Sequence, residues 1–236
     1  MTGGTPRTGR GRRRPLGVPV LRPVPGGWWL DGLLVAALAA LTAALVWWSP
    51  LLDVDIAVRD WCDGHRPPPV TVLMRAFDYL GQGGALIVVT LLVTGWLAWR
   101  HRTVRPVIPT GLAPIISTLL IVGLKRWTSR GAPHHGSVRM FSHGPEEFYP
   151  SGHVSNAIVY FTVLAMLLAP YLPVPARRLV QWLPGVLTFI GTTYLGYHWF
   201  TDSIGGYLLG LLIARLLLRV PWRTVPLPRW LDRAPP

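Results

Sequence analysis

Cysteine, lysine and acidic residues are all scarce in this chain. Cys62 stands alone, which excludes an internal disulfide and any cysteine-based metal cluster. Lys125 is the lone lysine among 23 basic residues, and only 10 acidic residues oppose them over 236 positions, leaving a formal charge of +13. Charged residues make up 14% of the chain against 50% hydrophobic, a balance that favours the bilayer over a soluble core. Several windows approach the roughly 20 apolar residues a helix needs to cross hydrocarbon. The basic excess does not signal nucleic acid, because the arginines gather at the ends of apolar runs, where membrane orientation explains them. Those of the N-terminal tail suit anionic lipids of the inner leaflet. A cleavable secretory signal is also missing: after a basic start and a Pro/Gly-rich linker comes a long apolar stretch with no small-residue cleavage site, which reads as a retained anchor.

What is present is an all-α pattern of six apolar spans. They run from about 28 to 48, 84 to 99, 107 to 124, 154 to 172, 179 to 197 and 204 to 218. Trp28, Trp29, Trp47, Trp48, Trp96, Trp99, Trp182 and Trp199 sit near their ends, where an amphipathic ring favours the interface. Residues 1–27 are Arg-, Gly- and Pro-rich without apolar periodicity and read as a disordered tail. A basic, Pro-rich tail follows the last span at 219–236, so the membrane domain is 28–218. Between the first two spans, LLDVDIAVRDWCDGHRPPPVTVLMRAFDYLGQGG is too polar to cross and reads as an external segment with amphipathic, surface-lying helices. Placing both termini inside leaves only Arg59, Arg66, Arg75, Lys125, Arg126, Arg130 and Arg139 outside, and the other sixteen Lys and Arg inside. The expected location is therefore the plasma membrane, multi-pass, with cytoplasmic termini.

That orientation brings Lys125, Ser151, His153, His198 and Asp202 to the outer ends of four spans, at about one depth. Singly, each has an ordinary explanation: a helix-end lysine snorkels, and a Pro-Ser-Gly turn caps a helix. Several together on one side point to function. In YPSGHVSNAIVYF, Ser151 and Gly152 precede a helix whose unpaired N–H groups and dipole suit a phosphate, and His153 can deliver a proton to a departing oxygen. In YHWFTD, His198 and Asp202 lie four apart on one helical face, so the carboxylate can hold one imidazole nitrogen while the other attacks.

These segments, KRWTSRGAP, PSGH and GTTYLGYHWFTD, stand in the order of the three motifs of the type-2 phosphatidic acid phosphatase family, which the chain resembles from about residue 28 to 218. That family is the membrane branch of the lipid phosphate phosphatase and vanadium haloperoxidase superfamily, with the pattern KxxxxxxRP, PSGH, SRxxxxxHxxxD. The resemblance implies that His198 forms a phosphohistidine, that Asp202 orients it and that His153 protonates the leaving group. It assigns Lys125, Ser151 and Gly152 to the phosphoryl oxygens and implies catalysis without a metal or other cofactor, on a lipid phosphate or diphosphate at the outer face. Two related roles stay open: a lipid phosphotransferase similar to sphingolipid synthases, and a non-catalytic lipid-phosphate-binding membrane protein.

Two positions depart from the pattern. Ala132 occupies the place of the first motif's arginine and Thr192 that of the third, with Gly191 instead of serine before it. Loss of both guanidinium clamps calls for a replacement, because such contacts stabilise charge on a transferring phosphoryl group. Arg130 is the leading substitute, ahead of Arg126, His134, His135 and Arg139. Glu146 and Glu147 read as solvated loop charges. His134, His135 and His143 do not make a convincing zinc set. Gly205, Gly206 and the region from Gly81 to Gly84 read as packing or turn glycines.

Overall fold

The computed structural model describes residues 27–47, 49–142, 147–222, 225–228 and 231. Almost all of the expected N-terminal tail, most of the C-terminal tail, Trp48, His143 and Glu146 lie outside the described residues. Among the described residues eight helices follow in order: α1 (Trp28–Trp47), α2 (Ser49–Gly64), α3 (Pro68–Tyr79), α4 (Gly83–His101), α5 (Val107–Thr128), α6 (Gly152–Leu167), α7 (Val174–Tyr194) and α8 (Phe200–Arg219). All are α-helical, as the apolar periodicity predicts. Of these, α1, α4, α5 and α8 are long and apolar enough to cross a membrane. The shorter α6 is equally apolar, while α7 carries Pro184 inside it and a more polar first half.

The polar stretch between the first two spans forms α2 and α3. Proline at the first turn of α3 presets its helical φ. This helix is no loose surface element, because it packs along α7. Thr188 Oγ1 donates to Phe77 O at 3.2 Å, and a Cβ at Gly191 would stand 2.7 Å from the Asp78 amide nitrogen. Glycine at 191, where the family pattern has serine, therefore permits the close approach of the two helices.

At the centre stands α6, surrounded by α4, α5, α7 and α8. Twelve of its 16 residues are buried, including Val154, Ile158, Val159, Val163 and Leu167, as befits a helix apolar all round. Its length of about 24 Å falls short of a bilayer core of roughly 30 Å, but its neighbours shield it from lipid. Elsewhere Leu92, Ile115 and Leu119 are exposed on the bundle exterior, and Trp28, Trp29, Trp47 and Trp99 are exposed at helix ends. This is the distribution expected when lipid rather than water is the solvent.

At one end of α8, Arg215 Nε donates to Asp31 Oδ1 of α1 at 2.7 Å, Arg219 pairs with Asp31 Oδ2, and the Arg219 guanidinium lies 4.0 Å over the Trp28 ring. At the other end, α8 is pressed onto the start of α6. A Cβ at Gly206 would overlap the carbonyl oxygen of Ser151 and lie 3.0 Å from its Cβ. Gly206→Ala must displace that backbone, so thermal melting in detergent should show a loss of about 1–3 kcal/mol. Gly123→Ala, where the added carbon meets nothing within 4 Å, should be neutral or gain up to about 1 kcal/mol. Equal melting temperatures for wild type and Gly206→Ala would refute this tight packing.

Candidate active site

The chain reaches the site end of the bundle through three helix termini. Helix α5 ends at Ser129, whose left-handed backbone (φ 43°) turns the chain into a long loop. The loop returns at Ser151, the N-cap of α6, where Ser151 Oγ accepts from Val154 N at 3.4 Å. Ser151 N donates to Asp202 O at 2.9 Å, joining this cap to the first turn of α8. The N–H groups of Gly152 and His153 have no hydrogen-bond partner among the described residues, as expected of a first helical turn.

A cavity of about 680 Å³ opens here, lined among others by His153, His198, Phe148, Ala132, Asp78 and Arg66. The His153 and His198 rings face each other with centroids 6.1 Å apart, and Phe148 packs 5.5 Å from His198. Only 5% of His198 is exposed. Burial lowers its proton affinity, Asp202 partly opposes this, and Lys125 and His153 add to the lowering, so the imidazole is neutral at neutral pH. Its Nδ1 lies 3.7 Å from Asp202 Oδ2. That is ion-pair distance, too long for a hydrogen bond, and among the described residues Nδ1 has no hydrogen-bond partner. Asp202 Oδ2 accepts instead from Trp199 N at 3.2 Å, an acidic group reaching back over the N-terminus of its own helix.

The remaining predicted residues divide. Lys125 reaches the same end, with Nζ donating to Glu147 O at 2.6 Å and lying 5.4 Å over the Phe148 ring. Its Cε would touch a Cβ placed on Gly152 at 4.0 Å, so lysine and the start of α6 are neighbours. Ser151 is fully buried as a cap. His153 Nε2 is 3.3 Å from Gln82 Oε1.

Arg130 is the correction. Expected as the replacement phosphate clamp, it is absent from the cavity wall and fully buried. Its Nη1 donates to Asp202 Oδ1 at 2.5 Å and Thr201 Oγ1 at 2.8 Å, its Nη2 to Asp55 Oδ2 at 2.6 Å and its Nε to Val138 O at 2.8 Å. A guanidinium so committed has no face to offer a ligand. Asp55 completes the knot by accepting from Thr201 N at 2.9 Å and from Thr201 Oγ1 at 2.5 Å.

Three site residues escaped the sequence reading. Asp55 and Asp78 sit on α2 and α3, and Arg66 lies between these helices; polar side chains are ordinary there on amphipathic segments. Only the pairing with distant residues distinguishes them. Among the described residues Asp78 Oδ1 is buried without a hydrogen-bond partner, and burial pushes its carboxyl up while His153 pulls it down. Among the described residues no cluster of three or more His, Cys, Asp or Glu is suited to hold a metal ion.

A neutral buried imidazole faced by a second imidazole is suited to taking up and releasing a phosphoryl group. Set at one end of an apolar bundle, it defines a membrane phosphatase, a hydrolase of phosphate esters. The chain belongs to the PAP2 superfamily, whose model matches residues 84–226, more than half of its length. It is 26% identical over 182 residues to phosphatidylglycerophosphatase B of Bacillus subtilis (strain 168), covering 73% of this chain and 86% of that one. The crystal structure of a transmembrane PAP2-type phosphatidylglycerolphosphate phosphatase from Bacillus subtilis is similar at a TM-score of 0.68 and 26% identity, over 79% of this chain and 93% of that one. That of Aquifex aeolicus LpxE shares the fold at a TM-score of 0.51 and 23% identity, over 70% and 94%.

The Asp55–Arg130–Asp202 knot generates a stability prediction. Arg130→Ala strands two buried carboxylates and should cost about 3–5 kcal/mol. Arg130→Lys should recover only part of that, because one ammonium cannot span both acids. Melting of the two variants in detergent checks this, and a wild-type melting temperature for Arg130→Ala would sink it.

Proposed function

We propose that this protein hydrolyses a lipid phosphate monoester or diphosphate at the outer face of the plasma membrane, through a phosphohistidine on His198. The observation that carries the proposal is the placement of His198, buried and neutral, between Asp202 on one side and His153 across the cavity. With Nδ1 turned toward Asp202, Nε2 is the nitrogen that attacks phosphorus. The P–O bond to the lipid breaks as His153 gives its proton to the departing oxygen. Water then attacks the phosphohistidine, His153 takes a proton from that water, and phosphate leaves. Lys125 and the N–H groups of Gly152 and His153 hold the phosphoryl oxygens, an arrangement supported by the open first turn of α6. Ser151 serves as the cap that fixes this turn. Arg130 acts as a positioning residue by holding Asp202. No metal enters these steps.

The membrane arrangement belongs to the same proposal. Six helices, α1 and α4 to α8, span within the domain 28–218, the termini are cytoplasmic, and α2 and α3 lie over the outer end. The Arg distribution supports this orientation. The names of the Bacillus relatives support hydrolysis over transfer to an alcohol, and phosphatidylglycerophosphate as the first lipid to try.

Phosphate release should be measured with detergent-purified protein on a panel of lipid phosphates and diphosphates in EDTA. Wild type should release phosphate, His198→Ala should release none, and His153→Ala should lose about 10²-fold or more in kcat. Because burial holds the His198 pKa below the usual imidazole value, the rate should fall with acid only below that range. Asp202→Asn removes a group that raises it and should move this limb to still lower pH while reducing kcat. Release undiminished by His198→Ala would overturn the mechanism.

A further inference from the structure

The cavity beside His153 and His198 receives no guanidinium from the two positions where the family pattern has one. Ala132 lines it with a methyl group, and Thr192 is buried with its hydroxyl 3.3 Å from Ser203 Oγ. A guanidinium nevertheless lines the same cavity, and it comes from the connection between α2 and α3. Arg66 crosses to the end of α7, where its Nε donates to Tyr194 O at 3.1 Å. The arginine is thus anchored two residues from position 192.

Its two remaining nitrogens differ. Nη2 is buried and lies 2.6 Å from Asp63 Oδ1, an ion pair that commits this nitrogen to the carboxylate. Nη1 makes no hydrogen bond among the described residues. His134 stands alongside, with Nε2 3.0 Å from Asp63 Oδ2, and it too lines the cavity. One carboxylate therefore gathers an arginine and an imidazole at the cavity wall. Gly196 makes room for them. At φ +68°, with a Cβ position 2.8 Å from Arg66 Nη2 and closer still to His134 Cε1, any larger residue would be strained and would push both side chains away.

We propose that Arg66, with His134 beside it, is the phosphoryl clamp of this enzyme and replaces the arginines missing at positions 132 and 192. With Nε held by Tyr194 O and Nη2 by Asp63, the guanidinium plane is fixed and Nη1 offers its two N–H groups to the non-bridging oxygens. Asp63 is a positioning residue that holds Arg66 by an ion pair and His134 by a hydrogen bond. The inference rests on the phosphatase reading above and adds to it the group that neutralises the transferring phosphoryl charge.

Two readouts test it with the full chain in detergent: kcat/KM for the best lipid phosphate, and the melting-temperature shift produced by orthovanadate, which needs no turnover. Arg66→Ala should lower kcat/KM by about 100-fold and abolish the orthovanadate shift, and added methylguanidinium should restore part of both. Arg66→Lys should fall between, as a point charge without a fork, and His134→Gln should lose less than Arg66→Ala. Should Arg66→Ala fail to purify folded, Arg66→Lys decides by the same readouts. Wild-type turnover and shift in the Arg66 variant, with turnover still abolished in His198→Ala, would overturn this inference alone. Neither turnover nor shift in the wild type would overturn the phosphatase reading and this inference with it.

Discussion

The guanidinium of Arg130 joins three pieces of chain that are remote in sequence: the loop after α5, Asp55 on α2 and Asp202 on α8. All three side chains are fully removed from solvent, so each charge depends on the others for compensation. Geometry then decides the orientation of the acid. With Oδ1 of Asp202 taken by Arg130, only Oδ2 is left to face Trp199 N and His198 Nδ1. The direction in which His198 presents its other nitrogen is therefore set one residue behind it, by a cation that never reaches the cavity. The Arg130 guanidinium also lies 5.6 Å over the Trp199 ring, whose Nε1 donates to Gly131 O at 2.8 Å. Loop and helix start are held by packing as well as by charge.

This commitment explains why the loop arginine cannot stand in for a lost clamp. At five residues past Lys125 it has suitable spacing, and spacing alone leaves both directions open. Pointing inward, it meets two carboxylates; pointing to the cavity, it would leave Asp55 and Asp202 buried and unpaired, an outcome costing several kcal/mol. Electrostatics chooses the first. The cavity wall instead carries Arg66 and His134.

Much of the architecture was legible because lipid imposes a simple code. Runs of apolar residues flanked by tryptophan became α1, α4, α5 and α8, and the polar stretch with three prolines became the two amphipathic helices α2 and α3. The Pro-Ser-Gly-His turn was legible as a helix start, and His198 and Asp202 as neighbours, although His198 stands in the connection before α8 and not on its face. What the sequence hid were contacts across long separations. Asp55 meets a partner 75 residues away and Arg66 one 128 residues away. No local pattern marks either, since acids and arginines on an amphipathic helix are expected merely to face water. The small residues at 132, 191 and 196 were visible, yet only the structure tells that the first opens the cavity wall, the second lets α3 approach α7, and the third yields space to Arg66 and His134.

Helix α8 links these observations. It carries Asp202 in its first turn and Arg219 in its last, the sense in which charges complement a helix dipole. Each end is tied to a different neighbour: Asp202 through Arg130 to α2, and Arg215 and Arg219 to Asp31 of α1. Between the ties, Gly205, Gly206 and Gly210 let the helix lie against Tyr149, Ser151 and Ser155 without intervening side chains. Ser155 Oγ donates to both Ser151 O and Gly206 O at 2.9 Å, locking α6 to α8 where they touch. The contact of α6 with α8 thus fixes the start of α6 against Asp202, while His198 itself stands in the short connection between α7 and α8. The pair of imidazoles is therefore held by the start of α6 and by the Asp202 carboxylate, whereas Arg66 and His134 reach the cavity wall from other elements.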